Sequence, residues 1–216
     1  MGWQGIFDSS GILFTGLVNT LILSVASIAT GTTLGLVVAL LRTARIRGLR
    51  LPLRLYLEIF RGSPLLVQLL FIYFGAAYLG LRGVDTFMAA LIALTLYEGA
   101  LISEIFRAGI EAVPRGQREA ARSLGLSRYQ IERHVILPQT VPIILAPLVG
   151  QYIGLVKDTA LAMAIGYFEL VREGQAIIDR IGMPIETFIV VAGIYFLICY
   201  PMSLAARRLE TRALHA

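Results

Sequence analysis

Long apolar runs alternate with short polar segments along this chain. A helix needs about 20 mostly apolar residues to cross a bilayer. Five stretches approach that length: Ile12 to Leu41, about Leu55 to Leu79, about Asp85 to Arg107, about Gln139 to Val156, and about Ile185 to Ala206. The first contains Asn19, Thr20 and a Gly31-x-x-x-Gly35 pair, a spacing that lets helices approach closely and can serve as a dimer face. The second is interrupted by Glu58, Arg61, Gly62, Ser63 and Pro64. The ring of Pro64 and its missing N–H predict a bend or break there, and a broken helix at membrane depth needs protein or a polar cavity around it. The third holds Tyr97, Glu98 and Glu104. Pro138, Pro142 and Pro147 crowd the start of the fourth, and Lys157 and Asp158 follow it. Thr159 to Ile181 reads as a short helix and an amphipathic surface helix, or as a segment that dips into the membrane.

The basic residues orient these spans. None precedes the first span. Arg42, Arg45, Arg47, Arg50 and Arg54 follow it, and Arg82 alone lies between the second and third. Arg107, Arg115, Arg118, Arg122, Arg128 and Arg133 separate the third from the fourth. Arg172 and Arg180 precede the fifth, offset by Glu169, Glu173 and Asp179, and Arg207, Arg208 and Arg212 form the tail. The alternation predicts an all-α integral membrane protein with five transmembrane helices, N-terminus outside and C-terminus in the cytoplasm.

Residues 115–138, RGQREAARSLGLSRYQIERHVILP, are the most polar stretch. Pro114 suits a first helical position, where its missing N–H costs nothing. A short helix over Gln117 to Leu124 is expected to end at Gly125 in a left-handed conformation. Ser127 and Gln130 can form a capping box for a second helix, ending at Leu137-Pro138. Ala120 and Ala121 make the first helix thin, and Arg115, Arg118, Arg122 and Arg128 ring it with charge. Read from the residues alone, this is either a docking element or a solvated loop obeying the positive-inside rule.

Composition agrees with a membrane bundle in a single domain, residues 1–216. Apolar residues make up 57% and charged residues 15%, against roughly a quarter charged in soluble domains. Mean hydropathy is +0.77. The net charge of +5 does not indicate nucleic acid, because the basic residues sit in loops beside the spans. Cys199 is the single cysteine and lies in an apolar run, so it reads as a small core residue. The first residues show no basic n-region or cleavage pattern, so no removable signal peptide is expected.

The segment EAARSLG, Glu119 to Gly125, followed after nine residues by VILP, resembles the EAA loop of bacterial binding-protein-dependent ABC importer permeases. Val135 stands where isoleucine is usual. GLVNTLILS (Gly16 to Ser24), RGSPLLVQL (Arg61 to Leu69), ISEIFRAGI (Ile102 to Ile110), VPRGQREAA (Val113 to Ala121) and KDTALAMAIG (Lys157 to Gly166) are similar to the polar amino-acid branch of that family. The resemblance covers nearly the whole chain. It implies a non-catalytic permease subunit of the bacterial inner membrane. Such a subunit pairs with a second permease, as homodimer or paralogous heterodimer, and takes an amino acid from a periplasmic or surface binding protein. A coupling helix between the third and fourth spans then docks on one of two cytoplasmic ATPase subunits. Carried onto this chain, the coupling residues are Glu119, Ala120, Ala121 and Gly125, with Gln117 and Arg128 nearby. No cofactor is expected in the chain; ATP and Mg would be bound by the ATPase. Independently, the sequence has no G-x-x-x-x-G-K-[ST] phosphate loop of its own.

Ionisable and polar groups within spans are the candidate pathway residues. Ala146, Gly150 and Gly154 recur every four residues and form a small face on the fourth helix. Gln151 and Asp158 are seven apart, nearly two turns, and share another face. The branch contributes substrate contacts from this region, and relatives that favour cationic amino acids often carry a carboxylate where this chain has Gln151. The neutral amide leans the reading toward neutral or acidic amino acids or a broad range; an interhelical hydrogen bond is the alternative for Gln151. Lys157, the only lysine, could meet Asp158 of a second subunit across a two-fold axis as a gate, or snorkel to the interface. The N–H groups freed at Pro64 suit a substrate carboxylate, making Ser63, Pro64, Leu65 and Gln68 secondary candidates beside a plain kink. Glu98 and Glu104 are further pathway candidates, with an Arg107 ion pair the stronger reading of Glu104. Competing functions are an intramembrane enzyme and a passive channel. The first lacks paired carboxylates or a histidine cluster within the spans, since His134 and His215 are placed in the cytoplasm and Glu98 and Glu104 do not share a face.

Overall fold

The computed structural model describes residues 2–43 and 46–214. Arg45 and His215 lie outside these, as does the side chain of Arg212. Among the described residues all regular structure is helical. Helix α1 (Gly2–Asp8) leads into α2 (Ser10–Thr43), followed by α3 (Arg50–Gly62), α4 (Leu65–Tyr78) and α5 (Thr86–Ala112). Two short helices, α6 (Arg115–Ser123) and α7 (Arg128–Ile131), precede α8 (Leu137–Asp158), α9 (Leu170–Ile181) and α10 (Pro184–Leu214). Helices α2 and α5, the run Arg128–Ile165 and the run Pro184–Thr211 are long and apolar enough to cross a membrane. The bent pair α3–α4 makes a fifth candidate if counted as one span.

Local chemistry sets the helix ends. Asp85 caps α5, its carboxylate accepting from the Met88 N–H at 2.8 Å. The helix stops where Val113 turns extended ahead of Pro114. Glu169 caps α9 by accepting from the N–H groups of Val171 and Arg172, and Gly182, at φ +69°, ends it.

The central contact pairs α2 with α5. A Cβ on Gly31 would stand 2.9 Å from Glu98 Cβ, and one on Gly35 would stand 2.8 Å from Ile102 Cγ2. Only glycine permits this approach. The Gly31-x-x-x-Gly35 face is therefore spent inside the chain, against α5, and not on a dimer.

The break at Pro64 is deeper than a kink. Helices α3 and α4 meet at 111°, so a second span made of this pair is a broken helix. The 14 residues of α4 reach about 21 Å, short of the roughly 30 Å hydrocarbon core. Gln68, 7% exposed, clamps the break. Its Nε2 donates toward the Phe60 carbonyl (2.9 Å), the Ser63 carbonyl (3.0 Å) and Ser63 Oγ (2.9 Å). Gln68 thus spends its amide nitrogen on the chain's own groups at the break. Helix α3 is anchored by the Tyr56 hydroxyl, which donates to the Leu96 carbonyl of α5 at 2.6 Å. Glu104 gathers Arg42 of α2, Arg61 of α3 (3.6 Å) and Arg107 (2.8 Å). The expected Glu104–Arg107 pair is present, and two more helices join it.

The expected stop at Leu137-Pro138 does not occur. A π-helical turn, Glu132–Ile136, carries α7 directly into α8. The Leu137 N–H reaches back to the Glu132 carbonyl, so the turn widens just ahead of Pro138, which has no N–H to donate, and two side chains add hydrogen bonds to carbonyls beside it. Gln139 Nε2 donates to the Val135 carbonyl (2.7 Å) and Thr140 Oγ1 to the Ile136 carbonyl (2.9 Å). Extra-residue turns of this kind relieve such mismatches.

Two substitutions test the packing by thermal unfolding of the detergent-purified complex. Gly35→Leu, which overpacks the α2–α5 contact, is expected to destabilise by about 1–3 kcal/mol, whereas Gly193→Ala, where an added Cβ meets no atom within 4 Å, leaves the melt unchanged. Gln68→Leu removes the donor from the half-buried Phe60 and Ser63 acceptors and is expected to cost about 0.5–1.5 kcal/mol; a wild-type melting temperature would refute the clamp.

Candidate functional site

Two groups of residues stand out, one at membrane depth on α8 and one at the polar end of the bundle. On α8, Gln151 turns toward α5. Its Nε2 donates to both oxygens of Glu98, at 3.2 and 3.0 Å, and Glu98 is 0% exposed. The next residue, Tyr152, shares a 2.9 Å hydroxyl contact with Thr32 of α2, so α8 is held to both central helices. One helical face further round, Gly150 and Gly154 have open space where a Cβ would stand. Among the described residues, a Cβ at either glycine would meet no atom within 4 Å.

Lys157 is exposed and Asp158 is half-buried. Among the described residues neither forms an intrachain ion pair. After them the chain tightens into a 3-10 helix, Thr159–Ile165, which ends at Gly166 with φ +83°. Leu65 at the start of α4 packs in one core with Leu69, Ala93, Ala162 and Ile165. The Pro64 break thus lies in the same bundle region as the segment after Asp158. Ser63 and Gln68, however, spend their polar groups on the break itself, and no hydrogen bond links them to Gln151.

The polar element is built as a compact hairpin of helices. Pro114 sits at the N-cap of α6, one position earlier than expected, with ψ 137°. Gly125, at φ +78°, completes a Schellman turn: its N–H donates to the Arg122 carbonyl (2.9 Å) and the Leu126 N–H to the Ala121 carbonyl (3.2 Å). Both bonds of the Ser127–Gln130 capping box are present. Ala121 faces inward, in a small core with Val113, Ile131 and Ile136. Arg118 holds Glu132 across the hairpin at 2.8 Å, and an Arg128 Nη2 donates to the Thr43 carbonyl of α2 at 3.4 Å. Gln117, Glu119 and Ala120 remain exposed.

The sequence reading missed two features. Leu124 is 81% exposed and adds an apolar knob beside Ala120; its position one residue before Gly125 was the available signal. Glu98 was noted only as a candidate, because no local pattern links it to Gln151, 53 residues away. Among the described residues, no group of three His, Cys, Asp or Glu side chains could hold a metal ion.

Comparison with known proteins agrees with this architecture. The family described as the binding-protein-dependent transport system inner membrane component matches residues 31–215. The glutamine transport system permease protein GlnP of Escherichia coli (strain K12) is 38% identical over 212 residues, covering 97% of this chain and 96% of that protein. The probable glutamine ABC transporter permease protein GlnM of Bacillus subtilis (strain 168) is 35% identical over 207 residues, covering 96% and 95%. Among solved structures, an amino acid ABC transporter crystallised with histidines superposes with a TM-score of 0.92 at 35% identity, covering 98% of this chain and 99% of that one. An inward-facing MetNI methionine ABC transporter superposes at 0.76 with 25% identity, covering 94% and 97%. With its helical bundle, its polar hairpin and these relatives spanning nearly its full length, the chain belongs to the family of binding-protein-dependent transport system inner membrane components.

Proposed function

We propose that this chain is the permease subunit of an ATP-driven amino-acid importer of the bacterial inner membrane, with five spans, N-terminus outside and C-terminus in the cytoplasm. It pairs with a second permease, docks on two cytoplasmic ATPase subunits and receives substrate from an external binding protein. The observation that carries the reading is the preorganised α6–α7 hairpin joined without a loop to α8. One end offers Gln117, Glu119, Ala120 and Leu124 for docking, with Gly125 and Arg128 setting the hairpin and Ala121 its core. The other end carries Gln151, Lys157 and Asp158. Closure of the ATPase dimer displaces the two hairpins, and rigid movement of the bundles opens the path in alternation to either side.

Within the path, Gln151 contacts the substrate, while Ser63, Pro64, Leu65 and Gln68 shape the wall at the helix break. The open face of Gly150 and Gly154 supports close approach of the second permease. Across that contact, Lys157 of one subunit meets Asp158 of the other as a gate. The relatives named for glutamine point to a neutral polar amino acid as cargo.

In proteoliposomes containing the complete complex, Gly125→Asp combined with Glu119→Lys is expected to lower substrate uptake at least about tenfold by removing the turn and a docking charge. Full-rate uptake would refute the coupling role. Lys157→Asp is expected to raise substrate leak without ATP, because like charges then face each other across the axis, and the exchange Lys157→Asp with Asp158→Lys is expected to restore the seal. A tight single variant, or an exchange variant as leaky as the single one, would remove the gate assignment.

A further inference from the structure

A cavity of about 1040 Å³ opens between the polar end of α2, helix α3 and Glu104 of α5. Its lining follows from the sequence. The apolar run of α2 ends at Leu41 and Arg42, and the chain returns as α3, which sets Arg50, Arg54 and Arg61 along one wall. Arg42 and Arg47 complete that basic wall, and Leu41, Leu53 and Leu57 supply an apolar one. Among the described residues, five arginines against two carboxylates, Glu58 and Glu104, leave a surplus of three positive charges in the lining. Glu104 is already shared by Arg42, Arg61 and Arg107, and Glu58 holds Arg54 at 2.7 Å. Arg47 and Arg50 are exposed and form no ion pair among the described residues.

Uncompensated charge in a concave wall attracts an anion more strongly than the same charge on an open surface. Guanidinium forks match phosphate oxygens two at a time. A free phosphate would sit against leucine on its other side, whereas a phosphate that carries a glycerol and acyl chains covers both walls. Helix α3 also lies where such a molecule is found. Leu51, Leu55 and Ile59 recur every four residues and are exposed, beside the arginines. A helix divided in this way lies in the boundary of a bilayer, with its basic heads at the level of the lipid phosphates. Its turn of 111° from α4 suits a helix that runs along the surface while its neighbour enters.

We infer that this cavity is a binding site for the phosphate headgroup of an anionic phospholipid, with Arg47 and Arg50 on the phosphate and the leucine wall against the glycerol end of the tails. The site needs only that this end of the bundle lies at a bilayer surface, and it is independent of which substrate is carried. Occupied, it offsets the surplus charge and ties α3 to the ends of α2 and α5.

The test is native mass spectrometry of the detergent-purified transport complex, titrated with dioleoyl-phosphatidylglycerol or dioleoyl-phosphatidylcholine, so that bound lipid and retained subunits are read together. Phosphatidylglycerol is expected to bind at least about tenfold more tightly than phosphatidylcholine. Arg47→Gln with Arg50→Gln is expected to weaken phosphatidylglycerol at least about fivefold and to leave phosphatidylcholine unchanged. Arg207→Gln with Arg208→Gln removes the same charge from the exposed end of α10 and is expected to leave both affinities unchanged. Equal affinities for the two lipids overturn the inference. So does an α10 variant that loses as much as the cavity variant, because the attraction is then diffuse. Displacement of phosphatidylglycerol by millimolar inorganic phosphate overturns the lipid as the source of the phosphate. A cavity variant that sheds its ATPase subunits while keeping its lipid shows that the arginines dock protein, and this too overturns the inference. If the glutamine variant does not assemble, Arg47→Lys with Arg50→Lys decides, since it keeps the charge and removes the forks: lowered phosphatidylglycerol affinity supports the site, and wild-type affinity overturns it.

Discussion

The seam between α2 and α5 is the constraint on which the other placements depend. Lipid tails are as apolar as leucine, so helices in a membrane gain little from hiding apolar surface and must hold together by close contact. Gly31 and Gly35 of α2 bring its backbone against Glu98 and Ile102, and Gly99 of α5 lies against Leu34. With α5 fixed this closely, each of its polar groups has a set address. The Leu96 carbonyl takes the Tyr56 hydroxyl, Glu98 takes Gln151, and Glu104 takes Arg42, Arg61 and Arg107. A loosened seam would shift all three partners at once, because they hang from less than three turns of one helix.

Polar groups are few in this bundle, and those inside it solve specific problems. Gln68 answers for backbone acceptors exposed by the Pro64 break. Gln139 and Thr140 add side-chain hydrogen bonds to the Val135 and Ile136 carbonyls around the turn that precedes Pro138. Glu104 neutralises arginines where three helices converge. The Glu98–Gln151 pair differs from these. It repairs no break, and it sets a wholly buried carboxyl group against a neutral amide with no ion pair among the described residues. A group kept at such expense at membrane depth is a functional candidate by default.

Much of the architecture was legible in the sequence because its determinants are local. Apolar runs located α2, α5, α8 and α10, Pro64 located the break, and Ser127, Gln130 and Gly125 wrote the hairpin in a dozen residues. What stayed hidden depends on partners distant in sequence. Periodicity places Gln151 on a face of α8 but cannot say that Glu98 fills the space opposite. The Gly31–Gly35 spacing announces close approach without naming the approaching helix. Pro138 misled for a different reason. Proline commonly ends a helix, but here a widened turn runs through Glu132–Ile136 straight into α8.

That widened turn has a mechanical consequence. A loop between the hairpin and α8 would absorb displacement, as a slack cord does. A helix running through Glu132–Ile136 instead makes a strut, and α8 alone extends its reach by roughly 33 Å. A tilt of a few degrees at the hairpin becomes a sideways sweep of ångströms at the far end, where Lys157 and Asp158 sit. The same turn interrupts the regular ladder near the polar end, and Pro142 and Pro147 interrupt it again inside α8, so these are the points where the strut can be twisted about its own axis.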